Sequence, residues 1–310
     1  MRQNPLSALF KHSVSFAFAL LMTSSLAQAQ PPTPPPAPPP AQPAAASAVP
    51  VPSFVPLAEG YRFEVSVDAW STLPSNMTFS DTETITTTAA TSTTAAVTTT
   101  VAGTNIDFKQ QLGLHNQWFP AFHVVIRPQE KQKIRFSFYP LYYKQSATLG
   151  STINFNGQTF AAGDAVSSSL YWNEYELSYE YDFLTFERGY VGGAVGANFY
   201  SVSGQIADAT QGGTAGVHIP MPGLGVEARY YLTPRFSATG SFMGFWLPGS
   251  DTSTNGHVVN AQAYGTVNIS KYVALQGGYR LFDAAHHFNS PVNTGNFLIN
   301  GGFIGGVFRY

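Results

Sequence analysis

The chain has 310 residues, with 15 Lys and Arg against 17 Asp and Glu, a charged fraction of 10% and no cysteine. Disulfides, thiolate metal sites and a lipid-modified N-terminal cysteine are therefore excluded, and so mild an acidity offers no electrostatic footprint for nucleic acid. Beyond residue 30, no run of apolar residues approaches the ~18 of a membrane helix.

The first 29 residues read as an export signal. Arg2 and Lys11 supply positive charge, Val14–Leu26 is apolar, and Ala27-Gln28-Ala29 offers the small-residue pattern that a signal peptidase accepts. The apolar run is too short and too rich in serine to serve as a spanning anchor. Residues 30–57 then shift to Pro and Ala, a composition that stays extended as polyproline II because it has no apolar face to bury. Such an arm reaches on the order of 70 Å. It is expected to act as a spacer, with a periplasmic contact to peptidoglycan as the alternative.

From residue 58 to 310 the chain alternates with a period of two. In Tyr61–Trp70 the odd positions Tyr61, Phe63, Val65, Val67 and Ala69 are apolar, and the even positions carry Arg62, Glu64, Ser66 and Asp68. Tyr171–Phe183 is clearer: Tyr171, Tyr175, Leu177, Tyr179, Tyr181 and Phe183 form one face, and Glu174, Glu176, Glu180 and Asp182 the other. A slip by one residue would aim four carboxylates at lipid, at roughly 2 kcal/mol each near the membrane centre, so charge fixes the register. Segments starting at Phe236, Val259 and Val273 keep the same period with fewer charges.

Short polar turns at Pro128–Gln132, Thr185–Gly189, Thr233–Arg235 and Ser270–Lys271 are assigned to the periplasmic side. Longer connections at Ser71–Gly103, Ala207–Thr214, Pro248–Gly256 and Asn289–Gly295 are assigned to the outside. Asn156-Gly157, inside Ile153–Phe160, is a hairpin signal and a fifth outer turn. Four inner and five outer connections give an all-β, antiparallel up-and-down transmembrane β-barrel of about ten strands, with eight or twelve as alternatives. The outer loop near 80–103 contains Thr84–Thr100, almost pure Thr and Ala, which reads as a poorly constrained surface loop or as an adhesive one.

The inward faces collect Glu64, Asp68, Glu174, Glu176, Glu180, Asp182 and Glu227 with Arg62, His123, Arg127, Arg135, Arg229 and Arg280. Such a set lines a selective constriction or, in so narrow a barrel, pairs off and fills it; the second reading is preferred. His286 and His287, with Asp283 before them and Ser290 after, fall where an outer-rim hydrolase acting on lipid or peptide would place its groups. Adjacent strand residues face opposite ways, however, and no Gly-x-Ser-x-Gly context supports a nucleophile, so no enzyme is expected. His115, His123, His218 and His257 lack ligand spacing, and neither metal nor cofactor is expected.

The last residues, Phe303 to Tyr310, place aromatics at Phe308 and Tyr310 and resemble the C-terminal strand signal of bacterial outer-membrane proteins, which the barrel assembly machinery recognises. Ile106-Asp107, Leu112-Gly113, Arg135, Phe155-Asn156-Gly157-Gln158-Thr159 and Tyr179-Glu180-Tyr181-Asp182 resemble motifs of a group of uncharacterised Gram-negative outer-membrane barrels. The resemblance implies fold and an outer-membrane location, with membrane lipid and the assembly machinery as partners. It assigns no catalytic residue. The functional expectation is a barrel of structural or narrow small-solute passage type.

Overall fold

The computed structural model describes residues 54–57, 59–80, 83–87, 97–101, 103–247, 255–287 and 294–310. The export signal and the Pro/Ala arm as far as residue 53 lie outside the described residues. Ten long strands make the body: β1 (Phe63–Ser80), β2 (Gln117–Gln129), β3 (Gln132–Thr148), β4 (Ala165–Phe186), β5 (Gly189–Ala207), β6 (Gly212–Thr233), β7 (Phe236–Leu247), β8 (Asn255–Asn268), β9 (Val273–His287) and β10 (Thr294–Arg309). Each pairs antiparallel with its sequence neighbour, and β1 pairs with β10 from Glu64–Arg309 to Ser80–Thr294, which closes the sheet.

Closure removes the free edges that no hydrocarbon environment satisfies. The outward residues include Tyr171, Leu177, Phe183, Val195, Phe199, Leu224, Val226 and Tyr230, all exposed, while Leu170, Trp172, Asp182, Asn198, Glu227 and Arg229 at alternate positions are buried. An exposed apolar belt around a closed antiparallel barrel, over a charged interior, is the outer-membrane architecture. The protein is a ten-stranded outer-membrane β-barrel.

The four inner turns lie at the expected positions, between Gln129 and Gln132, Phe186 and Gly189, Thr233 and Phe236, and Asn268 and Val273. The outer ends differ from expectation because the strands are longer than a membrane crossing needs, up to 22 residues in β4 and β6. On β5 and β6 the outward face turns polar at Ser201, Ser203, Gln205, Thr214 and His218, so these strands rise above the belt before they turn. The connection expected at Ala207–Thr214 shrinks to Asp208–Gln211, held by Asp208 Oδ1 accepting the N–H groups of Thr210 and Gln211. Likewise β1 runs on to Ser80, through residues expected in a loop. The two ends of the Thr-rich segment, expected to be unstructured, pair as Glu83–Thr87 with Val97–Val101, as β-branched residues favour; residues 88–96 lie outside the described residues.

One stretch of wall is half-paired. Leu224–Thr233 of β6 pair with β7, but above Leu224 the described residues of β6 pair with β5 alone. Pro220 and Pro222 stand where the β7 ladder ends, and two residues apart they withhold their donors from the same side of the strand.

Candidate functional site

The lumen is occupied from end to end, in layers of different chemistry. At the periplasmic mouth, residues before β1 fold across the opening. The Leu57 N–H donates to the Pro234 carbonyl at 2.9 Å, the Phe54 N–H donates to Glu187 at 2.9 Å, and Arg188 stacks on the Phe54 ring. This strap delivers Glu59 inward, where Arg127 (3.2 Å), Arg229 (3.3 Å) and the Tyr231 hydroxyl (2.8 Å) all donate to its carboxylate. Burial alone raises the Glu59 carboxyl's pKa, but Arg229 and Arg127 outweigh it and hold the group below its ordinary value.

Behind the strap lies a continuous ion-pair network. Lys133, fully buried, reaches Glu180 at 2.7 Å and Asp182 at 3.0 Å, and its ammonium sits over the Tyr190 ring. Arg135 bridges Glu180 and Glu227, each at 2.5 Å, and the Tyr190 hydroxyl also donates to Glu227. Arg309 pairs with Glu64 and donates to Asn268. Glycine makes room for these groups: a Cβ at Gly192 would come within 2.9 Å of both Asp182 and Glu180.

Toward the middle, Asp68 meets His123 at 3.2 Å and accepts from Gln276 at 2.9 Å. Arg280 donates to both oxygens of Glu174 at 3.1 Å and to Asn260 at 3.0 Å, and its guanidinium lies 3.2 Å from the centre of the Tyr139 ring. Asn260 also donates to Glu176 at 3.4 Å. A polar cavity of about 70 Å³ remains among Asp68, His123, Glu176, Glu180, Glu227 and Gln276.

Above this level the filling is carbon. Trp172 packs edge-on against Tyr200, Phe282 and Phe297 at 4.8–6.0 Å, and Met77, Tyr143, Ile299 and Phe119 are buried around them. The outer end is capped by two segments with their own core: Ile106–Leu114, with Ile106, Phe108, Leu112 and Leu114 buried, and the hairpin Ile153–Phe155/Gln158–Phe160. Thr104 and Asn154 exchange hydrogen bonds at 3.1 and 2.9 Å, and the hairpin is locked to the outer β5–β6 turn by Gln211 donating to the Thr159 carbonyl at 2.6 Å. The hairpin turn has φ of 47° at Asn156 and 71° at Gly157, as a two-residue primed turn requires.

The structure thus places Glu64, Asp68, His123, Arg127, Arg135, Glu174, Glu176, Glu180, Asp182, Glu227, Arg229 and Arg280 on inner faces, each with a polar partner: Asp68 meets His123, Arg135 meets Glu180 and Glu227, and Glu174 meets Arg280, while the others pair with Glu59, Lys133, Asn260 or Arg309. Arg62 is a correction: it is exposed, and Tyr61, read as lipid-facing, is buried, because β1 begins only at Phe63 and the alternation does not extend back to them. Phe308 and Tyr310 face outward and are exposed. Sequence reasoning missed Lys133, Arg309, Tyr190 and Glu59. Lys133 shares the parity of Arg135, and Arg309 that of Val307, so the period alone marks them as inward. Glu59 lies outside any strand, and no period marks it.

At the outer rim, Asp283 approaches His257 of the neighbouring strand at 3.4 Å. Ser290 lies outside the described residues. No group of three or more metal-ligating side chains occurs among the described residues.

No protein-family model matches the chain, and no curated protein matches it in sequence. Among solved structures, it is similar to the outer membrane protease OmpT of Escherichia coli (11% identity, TM-score 0.39, 80% of this chain and 97% of that one). It is also similar to the Pseudomonas putida toluene transporter TodX (7% identity, TM-score 0.30, 80% and 89%). A third is OmpT of Vibrio cholerae (11% identity, TM-score 0.26, 79% and 98%).

Proposed function

We propose that this protein is an outer-membrane barrel of the structural or narrow small-solute passage type, with a lumen that rests closed. The reading is carried by Glu59, a carboxylate brought in from outside the strands and shared by Arg127, Arg229 and Tyr231 across the periplasmic mouth. An open pore leaves its lumenal charges to water, whereas these charges are bound to one another, as burial demands. Passage then requires the strap to leave, which exposes two guanidinium groups at the mouth, and the carbon-filled upper half and its cap to part as well. On this reading no residue is catalytic, membrane lipid surrounds the apolar belt, and Phe308 and Tyr310 serve recognition by the assembly machinery.

The test compares the chain from residue 30 onward with its Glu59→Gln variant in planar bilayers, after both show heat-modifiable migration. Brief, anion-favouring steps from Glu59→Gln above a silent parent are expected, because Arg127 and Arg229 lose their counter-charge. Silence of both chains would leave the structural role and remove passage.

A further inference from the structure

One carboxylate of the lower lumen has no cation beside it. The central cavity of about 70 Å³ is walled by five acidic side chains, Glu64, Asp68, Glu176, Glu180 and Glu227, and by one guanidinium, that of Arg135. Arg135 serves Glu180 and Glu227, Lys133 serves Glu180 and Asp182, and Arg309 serves Glu64. Asp68 has His123, whose two ring nitrogens are both engaged, by Asp68 at 3.2 Å and by Ser137 at 3.1 Å. Glu176 forms no ion pair among the described residues, and its one hydrogen bond comes from the Asn260 amide at 3.4 Å. A charge enclosed in protein demands a counter-charge.

Neutral oxygens on the same wall are also unused. Ser66 is only 6% exposed and lines the cavity from β1, and its hydroxyl has no hydrogen-bond partner among the described residues. The Gln262 amide lines it from β8 and is likewise unpartnered among them. Carboxylate, hydroxyl and carbonyl oxygens are the ligands of hard cations. No three acidic or histidine side chains of the described residues converge as a divalent ion requires, so the set suits a single charge. About 70 Å³ for the centres of entering atoms is room for one small cation and a few waters, each of which needs roughly 10–15 Å³ by the same measure.

We propose that the central cavity binds one partly hydrated alkali cation, held by the Glu176 carboxylate, the Ser66 hydroxyl and the Gln262 carbonyl. The ion supplies the charge that Glu176 lacks and ties β1, β4 and β8 together across the lumen. The site lies above the strap and does not depend on it, so it stands whether or not the lumen conducts.

The experiment is urea unfolding of the chain from residue 30 onward, refolded in uncharged detergent micelles with a chelator of divalent ions. Na⁺ is exchanged for tetramethylammonium at constant ionic strength, a cation that screens surface charge equally but is too large to share the cavity with water. Above the dissociation constant, each tenfold rise in Na⁺ is expected to multiply the folding constant about tenfold, the linkage of one ion bound by the folded chain alone. Glu176→Gln is expected to abolish that dependence. Gln262→Lys brings an ammonium of its own into the cavity, and it is expected to abolish the dependence and to raise the folding constant in tetramethylammonium above the parent's. It decides the matter should Glu176→Gln not fold. Equal folding constants of the parent chain in the two salts, or a Na⁺ response that survives either substitution, would overturn the proposal. So would a parent stability that follows pH between 5 and 8 and not Na⁺, the mark of a proton in the place of the ion.

Discussion

Below the Arg280–Glu174 pair the lumen is packed with charge, and above it with carbon, although the same two-residue period aims both sets of side chains inward. The lower half is directional: Lys133, Glu180, Arg135 and Glu227 form a chain in which each group needs its neighbours. The upper half is volumetric: Trp172, Phe282, Phe297 and Ile299 need only to be filled around. Alternation fixes which side chains point inward, and their chemistry decides whether the interior tolerates change.

Breaking the charged half is expected to have the largest effect. Lys133→Met leaves Glu180 and Asp182 facing each other without their shared cation, at a cost of about 3–5 kcal/mol. Urea unfolding of the refolded barrel measures it. Adding Asp182→Asn to that variant is expected to recover part of the loss, because Asp182 paired with Lys133 and is the charge left uncompensated, while Glu180 keeps Arg135. In the carbon half, Phe282→Ala is expected to cost about 3–4 kcal/mol through the cavity it leaves beside Trp172 and Tyr200. Met221→Leu, a change of shape at nearly constant volume, is expected to cost less than about 1.5 kcal/mol in the same assay. A lower half as tolerant of Glu180→Gln as the upper half is of Met221→Leu would erase the distinction.

A smaller effect is expected at the mouth, where Glu59→Gln weakens charge-assisted bonds of a partly exposed group by about 1–2 kcal/mol. The pH response of the strap is smaller still. Because Arg229 and Arg127 hold the Glu59 carboxyl below its ordinary value of 4.5, the strap's contribution is complete above that pH. It is lost only as pH falls through the lower folded value, when the carboxylate takes up a proton. Protease cleavage near Phe54 is therefore expected to stay constant from neutral pH down to about 5 and to rise only in stronger acid; a rise beginning near neutrality would contradict the assignment.

The four inner turns and a count of about ten strands were legible from turn chemistry, and the inward set from Glu64 to Arg280 from the rule that keeps charge away from lipid. Two features were not. The Ile106–Leu114 cap carries no strand period, so nothing local marks Phe108 and Leu112 as buried under the Ile153–Phe160 hairpin. Glu59 follows a proline-rich run whose composition points to an unanchored spacer, and its role depends on two arginines 68 and 170 residues away in sequence. Long-range ion pairs made by a non-repeating segment leave no local signature. The outer strand ends were underestimated for a related reason: above the lipid the outward face is free to be polar, so the contrast that marks a strand fades at Ser201 and Ser203.

The central claim is that the lumen rests closed, and single-channel recording of the unmodified chain from residue 30 onward tests it most directly. A folded, heat-modifiable barrel that gives no steps in a planar bilayer is the predicted result. Steady, ion-selective steps whose size changes when Glu176 or Arg229 is neutralised would contradict it and would make the lumenal charges the lining of an open pore.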